Sequence, residues 1–175
     1  MTAIICFELI PEGLELTGLF TTISSIIAGI IIMIMCDNTI KRKFELKREG
    51  SNSLLKTGII IGIGLAIHNF PEGLAIGSGF GTSITLGYSL AIAILLHDIP
   101  EGISMSIPMK TGGMRRSKAL MYTILSGITT GIGAFFGSLV GSVSGRMIGI
   151  CLAFAAGAML YIVSRWNITR ISQDI

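Results

Sequence analysis

Apolar residues run in long blocks along this chain, unlike the stripes of a soluble helix or the alternation of a half-buried strand. Five blocks reach the roughly 20 residues that an α-helix needs to cross a bilayer core. They lie at about 16–36, 55–79, 83–108, 119–141 and 147–164. Between them fall a polar loop at 37–54, a short turn near 80–82, a basic loop at 109–118 and a Ser/Gly turn at 142–146. A shorter apolar run, Ala3 to Phe7, leads into Glu8-Leu9-Ile10-Pro11-Glu12 and reads as the final turns of another helix. The pattern predicts an all-α integral membrane protein, with five transmembrane helices and a helical stub before them, in a single domain covering 1–175.

Composition agrees. Of 175 residues, 51% are hydrophobic and only 13% charged, too few to cover the surface of a soluble domain. The net charge of +3 is small, and its placement points to a membrane orientation rather than to a nucleic-acid partner. Lys41, Arg42, Lys43, Lys47, Arg48 and Lys56 flank the first loop, Lys110, Arg115, Arg116 and Lys118 the third, and Arg165 and Arg170 follow the last span. Alternating spans put all of these on one side of the bilayer, with Arg146 alone opposite. The positive-inside rule makes that side the cytoplasmic face of the plasma (inner) membrane, leaving Glu8, Glu12 and Glu15 outside. The 37–54 loop mixes these bases with Asp37, Glu45 and Glu49 and reads as a solvated tether.

Cys6, Cys36 and Cys151 form no disulfide framework or CxxC pair and read as free, small apolar residues. The first residues lack the basic region of a cleavable signal. Glycines recur at four-residue spacing in Gly73/Gly77, Gly127/Gly131 and Gly133/Gly137/Gly141, which suits close helix packing. Thr129 and Thr130 are expected to bond back to their own helix.

Two strings stand out against this apolar background: His68-Asn69-Phe70-Pro71-Glu72-Gly73 and His97-Asp98-Ile99-Pro100-Glu101-Gly102. They contain both histidines of the chain, and hydrocarbon solvates neither ions nor hydrogen-bonding groups. On a helix, His68 and Glu72 share a face with Asn69 beside Glu72, and His97 and Glu101 share one with Asp98 alongside. Pro71 and Pro100 leave the carbonyls of Ile67 and Leu96 without helical donors and are expected to kink their helices. The short turn between the spans makes them antiparallel neighbours, so the motifs can meet within the membrane. Two imidazoles, three carboxylates and an amide suit a borderline divalent metal, with zinc the leading candidate. One divalent cation leaves the three carboxylates at −1 and two leave +1, either being cheaper than three bare charges. The donor set is without thiolate, which argues against Cu(I) or iron–sulfur chemistry.

These motifs resemble the ZIP family of zinc- and iron-regulated metal transporters, in its bacterial ZupT/GufA-like branch. His68 to Ala75 is similar to the family's fourth-helix signature, and His97 to Gly102 to its fifth. Ser126-Gly127 and Phe154-Ala155-Ala156-Gly157-Ala158-Met159 extend the likeness to the sixth and seventh helices, and Phe7-Glu8-Leu9-Ile10-Pro11-Glu12 to the outer end of the second. The resemblance implies that the five spans are family helices three to seven, with a stub of helix two, in a ZIP-type domain truncated at both ends. It implies a binuclear centre, in which His68, Glu72, His97 and Glu101 form the primary transport site. Asn69 and Asp98 would join the bridging Glu72 and Glu101 at a second site. It implies movement of Zn2+, or of Fe2+, Mn2+, Co2+ or Cd2+, toward the cytoplasm by alternating access, and a homodimer.

Many relatives carry a glutamate near the position of Thr130, so the resemblance implies a weaker second site here. Ser164-Arg165-Trp166-Asn167-Ile168 stands where relatives have an acidic exit from helix seven. The expected function is therefore divalent metal transport and not catalysis. The alternatives are a remnant that binds metal without moving it and an intramembrane zinc hydrolase, the latter disfavoured because the chain has no HExxH string.

Overall fold

A computed structural model describes residues 2–45, 53–141 and 143–171 of the chain. The described residues are helical apart from short connections: α1 (Thr2–Ile4), a π-helical turn (Ile5–Leu9), α2 (Ile10–Thr17), α3 (Leu19–Glu45), α4 (Ser53–Thr82), α5 (Ile84–Thr111), α6 (Arg116–Gly141) and α7 (Gly145–Ile171). Among these residues, five helices are long and apolar enough to cross a membrane, in the stretches Leu19–Thr39, Leu54–Thr82, Ile84–Thr111, Arg116–Gly141 and Gly145–Ser164. Their outward side chains are large and apolar, with Phe20 88% exposed and Leu95, Leu96 and Leu120 each more than half exposed. Such a surface belongs in hydrocarbon. This is a multi-pass membrane protein.

The helices overrun the apolar blocks. Residues 37–45, expected to open a polar loop, instead continue α3, because Lys, Arg and Glu are strong helix formers once apolar neighbours have nucleated the ladder. Residues 46–52 of that expected loop and the tail after Ile171 lie outside the described residues. The α4–α5 connection shrinks to Ser83, whose extended backbone (φ −155°, ψ 151°) and hydroxyl cap α5 by accepting from the Leu86 amide at 3.1 Å. At the opposite, basic end, α5 continues past Pro108 to Thr111, and Gly113 turns the chain with φ of 93°, a conformation that favours glycine. Pro71 and Pro100 lie within helices that continue on both sides of them.

Two helix groups are joined along one seam. In the first, α4 packs most extensively on α6 and next on α5. The α4–α6 joint is backbone on backbone: a Cβ on Gly73 would collide with the Thr130 carbonyl, and one on Gly133 with that of Phe70. In the second group α7 packs on α3 and α2, and Gly29 and Gly157 play the same part there. The seam runs where α4 and α5 meet α7 and the N-terminal segment. It is filled by an apolar cluster that includes Ile5, Leu9, Ala75, Leu90, Ile94 and Leu152.

Candidate metal centre

Both motifs sit near the middle of their helices. Each histidine lies about 21 Å of helix from the Ser83 turn, by the 1.5 Å rise per residue, so the antiparallel pair brings the strings to one depth. The helical repeat then turns each histidine and the glutamate four residues later toward the neighbouring helix.

There the side chains converge. His68 Nε2 lies 3.3 Å from Glu72 Oε1 and 3.4 Å from Glu101 Oε1, and His97 Nε2 lies 2.8 Å from the same Glu101 oxygen. The two imidazole centroids are 6.3 Å apart with the rings nearly perpendicular, at 84°. His68 and Glu72 are 2% and 0% exposed, His97 and Glu101 30% and 15%. Zinc bonds of about 2.0–2.1 Å in a tetrahedron place ligand atoms roughly 3.3–3.4 Å apart. The two His68 contacts match that edge, and the His97–Glu101 contact needs to open by half an ångström at the scale of such an edge. One donor atom each from His68, Glu72 and His97 lies within 4.8 Å of the others.

The hydrogen-bond pattern is incomplete in a directed way. His68 Nε2, both carboxylate oxygens of Glu72, Glu101 Oε2, Asp98 Oδ1 and Asn69 Oδ1 are all buried without a hydrogen-bond partner. The short approaches of His68 Nε2 to the two glutamates are thus ion-pair distances without hydrogen-bond alignment. Leaving such groups bare away from water costs on the order of several kcal/mol per ion.

Asn69 and Asp98 stand at the edge of this group. The Asn69 amide nitrogen donates to the Ser126 carbonyl on α6 at 3.2 Å, which leaves its oxygen to act as an acceptor. Asp98 lies beside Glu72 and lines a cavity of about 450 Å³ between α5 and α6. That cavity runs past Gly102 and Ser106 to Lys110 and Arg116 at the basic end. The six residues singled out in the sequence thus occupy one neighbourhood, with four carrying the short contacts and two flanking them.

Two features differ from expectation. Thr129 bonds back to the Ser126 carbonyl at 2.6 Å as expected, whereas the Thr130 hydroxyl is buried and unpartnered. A carboxylate outside the two motifs also reaches into the bundle: Glu8, assigned to the outer face, accepts from Ser89 of α5 at 2.6 Å. Its signal in the sequence was a single acid between Phe7 and Leu9, but its partner lies 81 residues away.

Residues 37–165 match the family described as the ZIP zinc transporter. The zinc transporter ZupT of Chlorobium chlorochromatii is 35% identical over 159 residues, covering 83% of this chain and 59% of that protein. ZupT of Akkermansia muciniphila is 41% identical over 116 residues, 64% of this chain and 42% of its own length. The zinc transporter GufA of Myxococcus xanthus is 38% identical over 109 residues, with 62% and 43% covered. The chain therefore spans about half the length of the curated relatives it matches. With the family matched across both paired motifs and most of the helical bundle, this chain belongs to the ZIP family and is similar to its bacterial ZupT and GufA members.

Proposed function

We propose that the chain carries divalent metal ions, zinc foremost, across the membrane through the centre formed by His68, Glu72, His97 and Glu101. The observation that supports this most is the convergence of one donor atom each from His68, Glu72 and His97 within 4.8 Å of one another, beside buried carboxylate oxygens that have no hydrogen-bond partner. Intramembrane ionisable groups mark ion paths by default. A bound cation offsets their cost in the folded chain, and a neutral packing solution would need no such groups.

The imidazoles of His68 and His97 and the carboxylates of Glu72 and Glu101 take the primary ion. Asn69 Oδ1 and Asp98 Oδ1, both buried without a hydrogen-bond partner, offer oxygen donors to a neighbouring ion, Asp98 lying beside Glu72. Imidazole also suits Fe2+ and carboxylate and amide oxygens suit Mn2+, so the reading extends to these ions, with Co2+ and Cd2+ as further candidates for the mixed donor set. Placing the basic loops in the cytoplasm makes the Asp98 cavity the inward side, and uptake toward the cytoplasm follows.

Vesicles containing the purified chain and a zinc-sensitive dye test the reading. External zinc should raise the dye signal above protein-free vesicles, and a His68→Ala/His97→Ala variant should return it to the leak rate. Equal uptake by the two proteins refutes the assignment. Equilibrium zinc binding in detergent, measured on the same pair, separates a chain that binds and transports from one that only binds.

A further inference from the structure

The centre is closed on the side of the Ser83 turn by apolar side chains. Leu90 and Ile94 precede His97 by seven and three residues, so they share its helical face and lie between it and that end of α5. They meet Leu9 of the N-terminal segment and Leu152 of α7 in the seam between the two helix groups. A polar contact also crosses the same seam: the Ser89 hydroxyl of α5 donates to Glu8 Oε1 at 2.6 Å. Ser89 lies eight residues before His97, about 12 Å along the helix, so this pair sits at the outer edge of the apolar seal, level with Leu9 and Leu90.

Glu8 is held there by its backbone. It lies in the π-helical turn Ile5–Leu9, between Ile5 and Leu9, which have no exposed surface. The wider turn inserts an extra residue and re-aims the side chains that follow, a device found often at functional positions. An interhelical tie accounts for Oε1. It does not account for Oε2, which is buried and has no partner. Farther out, Glu12 and Glu15 follow at helical spacing on α2, close enough that Glu15, after burial itself, holds the Glu12 carboxyl above its ordinary range. Three carboxylates therefore follow one another along this segment, and the innermost, Glu8, keeps one buried oxygen without a hydrogen-bond partner.

We propose that Glu8, with the Ser89 hydroxyl, is an outer loading site at which a partly hydrated divalent cation waits before passing to the His68/His97 centre. This rests on the transport reading above. The donor set is hard and sparse, one carboxylate and one hydroxyl, so most of the ion's shell stays water and the ion is held weakly. A path needs sites of this kind, firm enough to admit an ion and weak enough to release it.

Initial-rate zinc uptake by the full chain in vesicles is compared for wild type, Glu8→Gln, Glu8→Asp and Ser89→Ala. Removing one ligand charge at the loading step should raise the apparent KM of Glu8→Gln about tenfold, with the maximal rate within about twofold. Glu8→Asp should fall between, and Ser89→Ala should shift KM less. Zinc affinity of the inner centre, measured in detergent, should match wild type in all of them. An unchanged KM, or a parallel loss of inner-centre affinity and maximal rate, overturns the proposal in favour of a structural tie. A second arm needs no transport. In detergent-solubilised His68→Ala/His97→Ala protein, equilibrium dialysis should show weak Mn2+ binding that Glu8→Gln reduces. If wild type takes up no zinc, the transport reading fails and this arm alone decides Glu8: reduced Mn2+ binding supports the site and unchanged binding removes it.

Discussion

Glu72 is a fully buried carboxylate beside His68 and Asp98, so it is costly in the metal-free protein and draws a cation toward it. Glu72→Gln keeps the shape and removes the charge. Zinc affinity should fall by at least about a hundredfold, since even outer-shell losses reach that size. The metal-free variant should melt no lower than metal-free wild type, because burying the carboxylate costs more than its 3.3 Å approach to His68 returns and His68 keeps Glu101 beside it. Thermal denaturation in detergent, with and without zinc, reads both effects, and a lower melting point without metal contradicts the account. Asn69 gives a finer contrast. Asn69→Ala removes the donor to Ser126 and the free Oδ1 together, whereas Ser126→Ala leaves the accepting carbonyl in place. Calorimetric titration should show weakened second-ion binding in the former and near-wild-type binding in the latter. The pairs His68/Glu72 and His97/Glu101 were legible in the sequence because a four-residue spacing fixes a common face wherever a helix forms. Glu8 was not, because what gives it meaning is Ser89, a partner that only the tertiary fold supplies.

Among the helices, repeated glycines divide into two kinds that look alike in the sequence. Gly73, Gly77, Gly133 and Gly137 meet backbone across the α4–α6 joint, whereas a Cβ at Gly127 or Gly131 would meet nothing within 4 Å. The spacing announced close packing for all of them, and for Gly127 and Gly131 the structure corrects that expectation. Periodicity identifies a small-residue stripe but not which stripe faces a neighbour, and α6 carries two. Gly73→Ala should therefore destabilise the protein by about 1–3 kcal/mol or more, as overpacking does. Gly131→Ala should be neutral or stabilising by up to about 1 kcal/mol through helix propensity. Chemical or thermal denaturation of the two variants checks the difference, and similar losses in both would contradict it. Helix ends were the least legible feature: the apolar blocks stop at the hydrocarbon, but the hydrogen-bond ladder of α3 continues through charged residues to Glu45.

In the whole molecule, the proposed transport would require the seam between the two helix groups to part, since apolar side chains fill it on the Ser83 side of the centre. A disulfide between Glu8→Cys and Ser89→Cys, in a background without Cys6, Cys36 and Cys151, should stop zinc uptake, and reductant should restore the rate of the reduced double variant. Uptake that proceeds through the oxidised protein would show that this seam stays shut during transport. The fold class was readable from hydropathy alone, because bilayer thickness sets helix length. The division into two groups was not, because it depends on which glycines touch.

The backbone-to-backbone joint of α4 and α6 has a mechanical consequence. Packed helices ordinarily slide by letting intervening side chains change rotamer, but Gly73 and Gly133 place no rotatable atoms at their contact points. The joint behaves as a splint: it transmits displacement without absorbing it, and it fixes the height of His68 and Glu72 against Asn69's anchor on Ser126. Compliance is left to the interface lined by Leu9, Leu90, Ile94 and Leu152, whose flexible side chains can re-pack. A rigid joint thus carries the proposed ligands, and a compliant one borders the proposed approach to them.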